Sequence, residues 1–182
     1  RAPGSVFAVV HAEPDPYLPL FPTRFRRGSM LTYLTRVVHF SAAHRYHRPE
    51  WSEDRNREAF GACANPHGHG HNYTLEVTIA GSPDQDTGFC VDLPGLDSLL
   101  EQQVRIPLDH QHINHAIAEF APGGLIPSTE NLVIWLWSRI QPGLSGARLV
   151  RLRLREEPGL FVDFYGPAEP DEAAAWPGGV EV

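Results

Sequence analysis

The 182-residue chain contains no lysine: its 15 basic residues are all arginine, set against 22 acidic ones, for a formal net charge of −7. That balance argues against a nucleic-acid binder held by phosphate electrostatics. The absence of lysine, beside abundant Ala, Gly and Pro, reads as the base composition of a GC-rich genome. Only two cysteines are present, Cys63 and Cys90, too few for a disulfide-stapled secreted scaffold, so a reducing cytoplasm is expected. No apolar run approaches the roughly 20 residues that span a bilayer. No compact apolar segment with a small-residue cleavage site opens the chain, so no signal peptide is read. What remains is an ordinary globular composition, 42% apolar and 20% charged, of a length that suits one domain.

Three segments follow from local composition. Residues 1–33 are a proline-rich, aperiodic lead-in ending in Arg24, Arg26 and Arg27, with the only methionine at Met30. They read as a variable N-terminal extension, or as sequence upstream of a start at Met30. Residues 167–182 read as an acidic Pro/Gly-rich tail. The working domain, 34–166, opens with a strand over 34–44 whose inward face carries Val38, Phe40, Ala42 and His44. Residues 52–60 read as a short helix capped by Ser52. A second strand covers 71–80, with Tyr73, Leu75, Val77 and Ile79 inward. A short strand is expected at 89–92, a helix at about 95–105, and a helix at about 129–140 capped by Ser128. Two strands at 148–156 and 160–165 close the domain. This order suggests an α+β fold with both main helices on one face of an antiparallel sheet.

Ten histidines are many for this length. His69-Gly70-His71 opens a strand, where residues two apart share a face with Cα atoms roughly 6.6 Å apart. Imidazoles set that way can both reach a metal at about 2.0–2.1 Å, and His44 joins them if the two strands pair antiparallel. His67-Gly68-His69 is an equally good pair on spacing alone. Cys63, six residues before His69, could be a ligand, nucleophile or base if a nearby dication lowers its pKa. Cys90 reads as a buried apolar residue. Asp109 beside His110 can orient a neutral ring, while His112 and His115 read as solvated. Glu156 continues the apolar face of Val150, Leu152 and Leu154, a costly place for a carboxylate without a partner. A guanidine-like ligand is one such partner; a strand that has already ended, leaving Glu156 solvated, is the alternative.

Taken together, Phe40-Ser41-Ala42-Ala43-His44, the run from Phe60 to Tyr73 (FGACANPHGHGHNY), Pro107-Leu108-Asp109-His110, Ser128-Thr129-Glu130-Asn131 and Glu156 resemble one family closely. It is that of 6-pyruvoyl tetrahydropterin synthase and its relative 6-carboxy-tetrahydropterin synthase of queuosine biosynthesis. The resemblance covers about 34–166. It implies the tunnelling fold, a four-stranded antiparallel sheet with two helices on one side, assembled through trimers into a barrel and a hexamer with active sites between subunits. It implies zinc on His44, His69 and His71, which decides the histidine register. Cys63 becomes the catalytic thiol, with Asp109 and His110 as proton-transfer partners. Glu156 anchors the pterin ring, and Thr129 and Glu130 line the same pocket. The implied substrate is 7,8-dihydroneopterin triphosphate, whose side-chain hydroxyls zinc polarises.

Five residues between Cys63 and His69 match the pyruvoyl-forming branch; three between Cys63 and His67 also satisfy the carboxy-forming branch, which releases acetaldehyde. The pyruvoyl reading is preferred. A non-catalytic zinc- or pterin-binding protein on this fold would not need Cys63, Asp109, His110 and Glu156 together. A zinc hydrolase would call for a carboxylate base beside the histidine pair, and none flanks it.

Overall fold

The computed structural model describes residues 30–168. Most of the expected N-terminal extension and acidic tail lies outside the described residues. Within them, strand β1 (Thr32–His44) leads through helix α1 (Glu53–Phe60) to β2 (His69–Gly81). Helix α2 (Leu93–Leu100), the two-residue strand β3 (Gln111–His112), helix α3 (Thr129–Ile140) and strands β4 (Arg148–Glu157) and β5 (Leu160–Phe164) follow. The sheet order is β3-β1-β2-β4-β5. The four long strands are antiparallel, as expected; β3 adds a short parallel pairing, Ala42 to Gln111 and Ala43 to His112.

One face of the sheet makes the core. Val38, Phe40, Ala42 and His44 of β1 and Tyr73, Leu75, Val77 and Ile79 of β2 are buried, in the alternation the sequence predicts. Leu132, Val133, Leu136 and Ile140 of α3 pack onto them. Ser128 caps α3 by accepting from the Asn131 N–H, and Ser52 caps α1 by accepting from Arg55.

The expected helix at 95–105 is longer. It starts at Leu93, with Pro94 in the first turn where no N–H is missed. It widens to a π-helical turn over Glu101–Arg105 and ends in a turn at Ile106–Leu108. Pro107 lacks the N–H that would bond four residues back, and the wide turn precedes it. Leu96, Leu100, Val104 and Leu108 are all buried. A spacing of four drifts about 40° per step on an ideal α-helix, and a wider turn offsets part of that drift.

Two further expectations are corrected. Residues 89–92 form no strand; the segment is a loop, closed by a bond from the Asp84 N–H to the Phe89 carbonyl. Phe89 is exposed and Cys90 only half-buried, so the run has no core face to commit. On β4 the buried residue is Leu149, not Val150: the pairing passes from Thr78–Arg151 to Ile79–Leu149, leaving Val150 as the extra residue of a bulge.

Gly68 enters β2 at φ 66°, and a Cβ there would lie 2.3 Å from the His44 carbonyl oxygen. Gly68→Ala combines a left-handed penalty with a backbone clash, and is expected to cost about 2 kcal/mol or more. Urea denaturation measures it; unchanged stability would show that this close approach is not required.

Candidate metal centre and active site

The β1–β2 register sets His44 opposite His69 and Ala42 opposite His71. All three imidazoles therefore emerge on the core face at the same end of the sheet. Their nearest ring nitrogens lie within 4.8 Å of one another. His44 Nε2 and His69 Nε2 are 3.3 Å apart. Two nitrogens of a tetrahedral ion with 2.0–2.1 Å bonds stand about 3.4 Å apart, so this pair is already spaced for one. His69 Nδ1 and His71 Nε2 are buried with no hydrogen bond. His44 is fully buried, and desolvation, aided by the neighbouring His69, His71 and His112, lowers its pKa to about 3. A neutral ring is what a metal needs as ligand. The donor set fits a divalent ion. His67 is exposed and takes no part in it.

Cys63 sits in the short 3₁₀ turn Gly61–Ala64 after α1, with Sγ 3.8 Å from His69 Nε2. Its carbonyl accepts from the Tyr46 N–H at 2.8 Å. Burial, and then the charge of Glu156, push the thiol's pKa up. The lowered value expected beside a dication is therefore not a property of the polypeptide alone.

Glu156 is buried, at 6% exposure, which removes the solvated alternative. It is the residue skipped where β4 and β5 pair, Arg155 with Phe161 and then Glu157 with Leu160. That bulge aims its carboxylate at the histidines. Oε1 lies 3.2 Å from His71 Nε2 and 3.5 Å from His44 Nε2. Thr129, buried in the first turn of α3, donates to Oε2, and the Tyr73 hydroxyl donates to Oε1 at 3.5 Å. Glu130, next to Thr129, is exposed.

Asp109 and His110 are held elsewhere, on the edge of β1. The Ser41 N–H donates to Asp109 Oδ1 at 2.8 Å, and the His110 N–H donates to the Ser41 carbonyl at 2.6 Å. The bond from Ser41, assisted by Arg105 and His110, holds the Asp109 carboxyl below its usual range. His110 has a left-handed backbone, φ 59°, uncommon for a residue with a side chain, and its ring is 83% exposed. Its Nδ1 lies 3.1 Å from Asp109 Oδ1. Among the described residues, no hydrogen bond or ion pair joins either one to Cys63.

His112, expected to be solvated, is half-buried: β3 turns its ring over Gly68, and it stacks on the exposed His115 with centroids 4.3 Å apart. The sequence reading also gives no role to two tyrosines. Tyr46 lays its ring 4.6 Å from that of His44, and the charges bearing on its hydroxyl are those of Glu156, Cys63 and Glu130. Tyr73, read only as core, contacts His44 and Glu156. Its place two residues after His71, on the same strand face, was the available signal.

The model of the family described as 6-pyruvoyl tetrahydropterin synthase matches residues 33–167. The chain belongs to this family. It is 37% identical over 134 residues to 6-pyruvoyl tetrahydrobiopterin synthase of Poecilia reticulata, covering 74% of this chain and 90% of that protein. It is 33% identical to the human protein of the same name, covering 73% and 90%. The structure of the Caenorhabditis elegans 6-pyruvoyl tetrahydropterin synthase superposes with a TM-score of 0.69 at 28% identity, over 76% of this chain and 97% of that one. Members of the family are lyases, and the three-histidine group of this chain is compatible with their use of a metal.

A divalent ion held by the three histidines, at about one hundred times its dissociation constant, is expected to stabilise the protein by about 2.7 kcal/mol, and zinc is the ion to try. A thermal melt with zinc against one with chelator measures it. The gain should vanish in His69→Ala; an equal gain in that variant would place the ion elsewhere.

Proposed function

We propose that the protein is a zinc-dependent lyase that converts 7,8-dihydroneopterin triphosphate to 6-pyruvoyl-tetrahydropterin with loss of triphosphate. The observation that carries this reading is the meeting of three imidazoles, the Cys63 thiol and the buried Glu156 carboxylate at one end of the β1–β2 ladder. Nitrogen ligation, with the His44–His69 pair at the spacing a tetrahedral ion sets, favours zinc. When bound, the ion supplies Lewis acidity to the hydroxyls of the substrate side chain. The relatives named as 6-pyruvoyl tetrahydrobiopterin synthases favour the pyruvoyl product over the carboxy product of the queuosine branch.

The residues divide the work. Glu156 accepts two N–H bonds from the guanidine-like edge of the pterin, and Thr129 keeps that carboxylate in place. Glu130 stands beside Thr129 at the pocket rim. Holding the ring there brings the side-chain carbons to the histidines and Cys63. Cys63 takes a proton from a side-chain carbon, and His110, oriented by Asp109, is the second acid/base. His110 projects from the edge of β1. That placement supports a site completed between copies, His110 of one serving Cys63 of another, in the trimer or hexamer that the family resemblance implies.

The test is incubation of zinc-loaded protein with 7,8-dihydroneopterin triphosphate, followed by mass spectrometry. The expected products are triphosphate and the pyruvoyl compound. Cys63→Ala should lower kcat by about 10²–10⁴-fold with the melting temperature unchanged. A carboxy product with acetaldehyde would replace the branch, and no turnover of a bound pterin would sink the enzyme reading.

A further inference from the structure

Tyr73 is 1% exposed, and its ring stacks on Phe40 with centroids 4.9 Å apart and planes 12° from parallel. Packed this way, the ring cannot swing, so its hydroxyl has one position. Two groups stand around that position: His44 Nδ1 at 3.1 Å and Glu156 Oε1 at 3.5 Å.

A phenol has one proton to give and lone pairs to receive one. The Tyr73 hydroxyl donates to Glu156 Oε1, so its one proton points there. The oxygen is then free to receive a proton from His44 Nδ1. That fixes the His44 tautomer with Nε2 bare, and Nε2 is the nitrogen 3.3 Å from His69 Nε2 in the metal group. The bond to Glu156 is at the long limit. Thr129 holds the other carboxylate oxygen, however, so Glu156 cannot turn from Tyr73 without giving up that bond. The result is a chain of contacts, His44–Tyr73–Glu156–Thr129, that runs from the metal group to the carboxylate proposed as the pterin anchor, beside the direct approaches of Glu156 Oε1 to His71 and His44.

We propose that Tyr73 is a positioning residue that ties the metal-binding His44 to the pterin-holding Glu156, so that a bound metal ion and a bound pterin strengthen one another. The metal half rests on the distances alone; the pterin half rests on the role proposed for Glu156. Coupling between two ligands is reciprocal, so either can be used to read it.

The experiment measures zinc affinity by competition with a chromogenic chelator, with and without saturating neopterin, a pterin that carries no triphosphate. Tyr73→Phe keeps the ring and removes the hydroxyl; it should weaken zinc binding roughly 10–100-fold, the usual loss for a group that orients a ligating histidine. Phe40→Leu loosens the stack that places the hydroxyl but keeps the hydroxyl itself, and should weaken zinc binding by less than Tyr73→Phe does. In the unaltered protein neopterin should tighten zinc about 5-fold or more, and this gain should be smaller in Tyr73→Phe, where only the direct approach of Glu156 to His71 and His44 remains; an unchanged gain there would overturn the coupling through Tyr73. Wild-type zinc affinity in Tyr73→Phe would overturn the proposal, as would an equal loss in Phe40→Leu. Neopterin that binds without changing zinc affinity would overturn the coupling. Neopterin that fails to bind at all would instead overturn the anchor role of Glu156, a failure the zinc titration of the variants distinguishes from that of Tyr73.

Discussion

The antiparallel register of β1 against β2 is the constraint on which the site depends. The ladder runs without a slip from Thr32–Gly81 to His44–His69. Side chains alternate along it, so a one-residue slip would send either His44 or the His69–His71 pair to the opposite face. The core holds it in place, since a slip would also expose Phe40 and Val38 or Tyr73 and Leu75. Close approach holds it too: a Cβ on Gly70 would lie 3.2 Å from the Ala42 carbonyl oxygen. The three-histidine group is thus a by-product of the strongest packing in the domain, and needs no loop to assemble it.

Burial sets the electrostatic character of what that register assembles. Desolvation keeps His44 neutral and pushes the Cys63 and Tyr46 groups up, and the Glu156 charge adds to the last two. One carboxylate thus works against thiolate formation at Cys63 while waiting for a partner. A guanidine-like ligand paired with Glu156 offsets that charge, and a cation among the imidazoles opposes it directly. The thiol is therefore least acidic in the empty pocket, which suits the role proposed for Cys63.

Much of this was legible in the sequence, for identifiable reasons. Strict alternation marked β1 and β2, and Ser128 followed by Leu132, Val133, Leu136 and Ile140 marked α3, because period and capping are local signals. The histidine choice was not local: His67-Gly68-His69 and His69-Gly70-His71 are equivalent until the ladder places them. The bulges at Val150 and Glu156 were invisible because a bulge depends on what the neighbouring strand offers. Residues 89–92 looked like a strand for want of the same information. β3 and the half-burial of His112 come from a two-residue pairing too short to leave a pattern. Tyr73 reads as core because its ring is core; only the position of its hydroxyl, between His44 and Glu156, shows otherwise.

The sheet ends bear on how the site is completed. β3 pairs only with Ala42 and Ala43, so among the described residues β1 from Thr32 to Phe40 has no strand on its outer side, and β5 is the other edge. Free edges invite pairing and are usually blunted by charge or cover. Here β1 carries Arg36, bonded through both Nε and Nη2 to Asp97 at 2.7 Å, but also exposes Tyr33 and Val37. β5 exposes Leu160 and Phe161. Asp109 and His110 hang from Ser41 at the first of these edges, and His110 accepts a left-handed backbone to stay there. Strain of that kind persists where surrounding structure demands it. Closing the sheet edge to edge with further copies would cover the apolar edge residues and give the exposed His110 ring a neighbour in one step. A single packing event would thus serve both stability and the proposed chemistry, which supports the proposal that Asp109 and His110 act across the contact between chains.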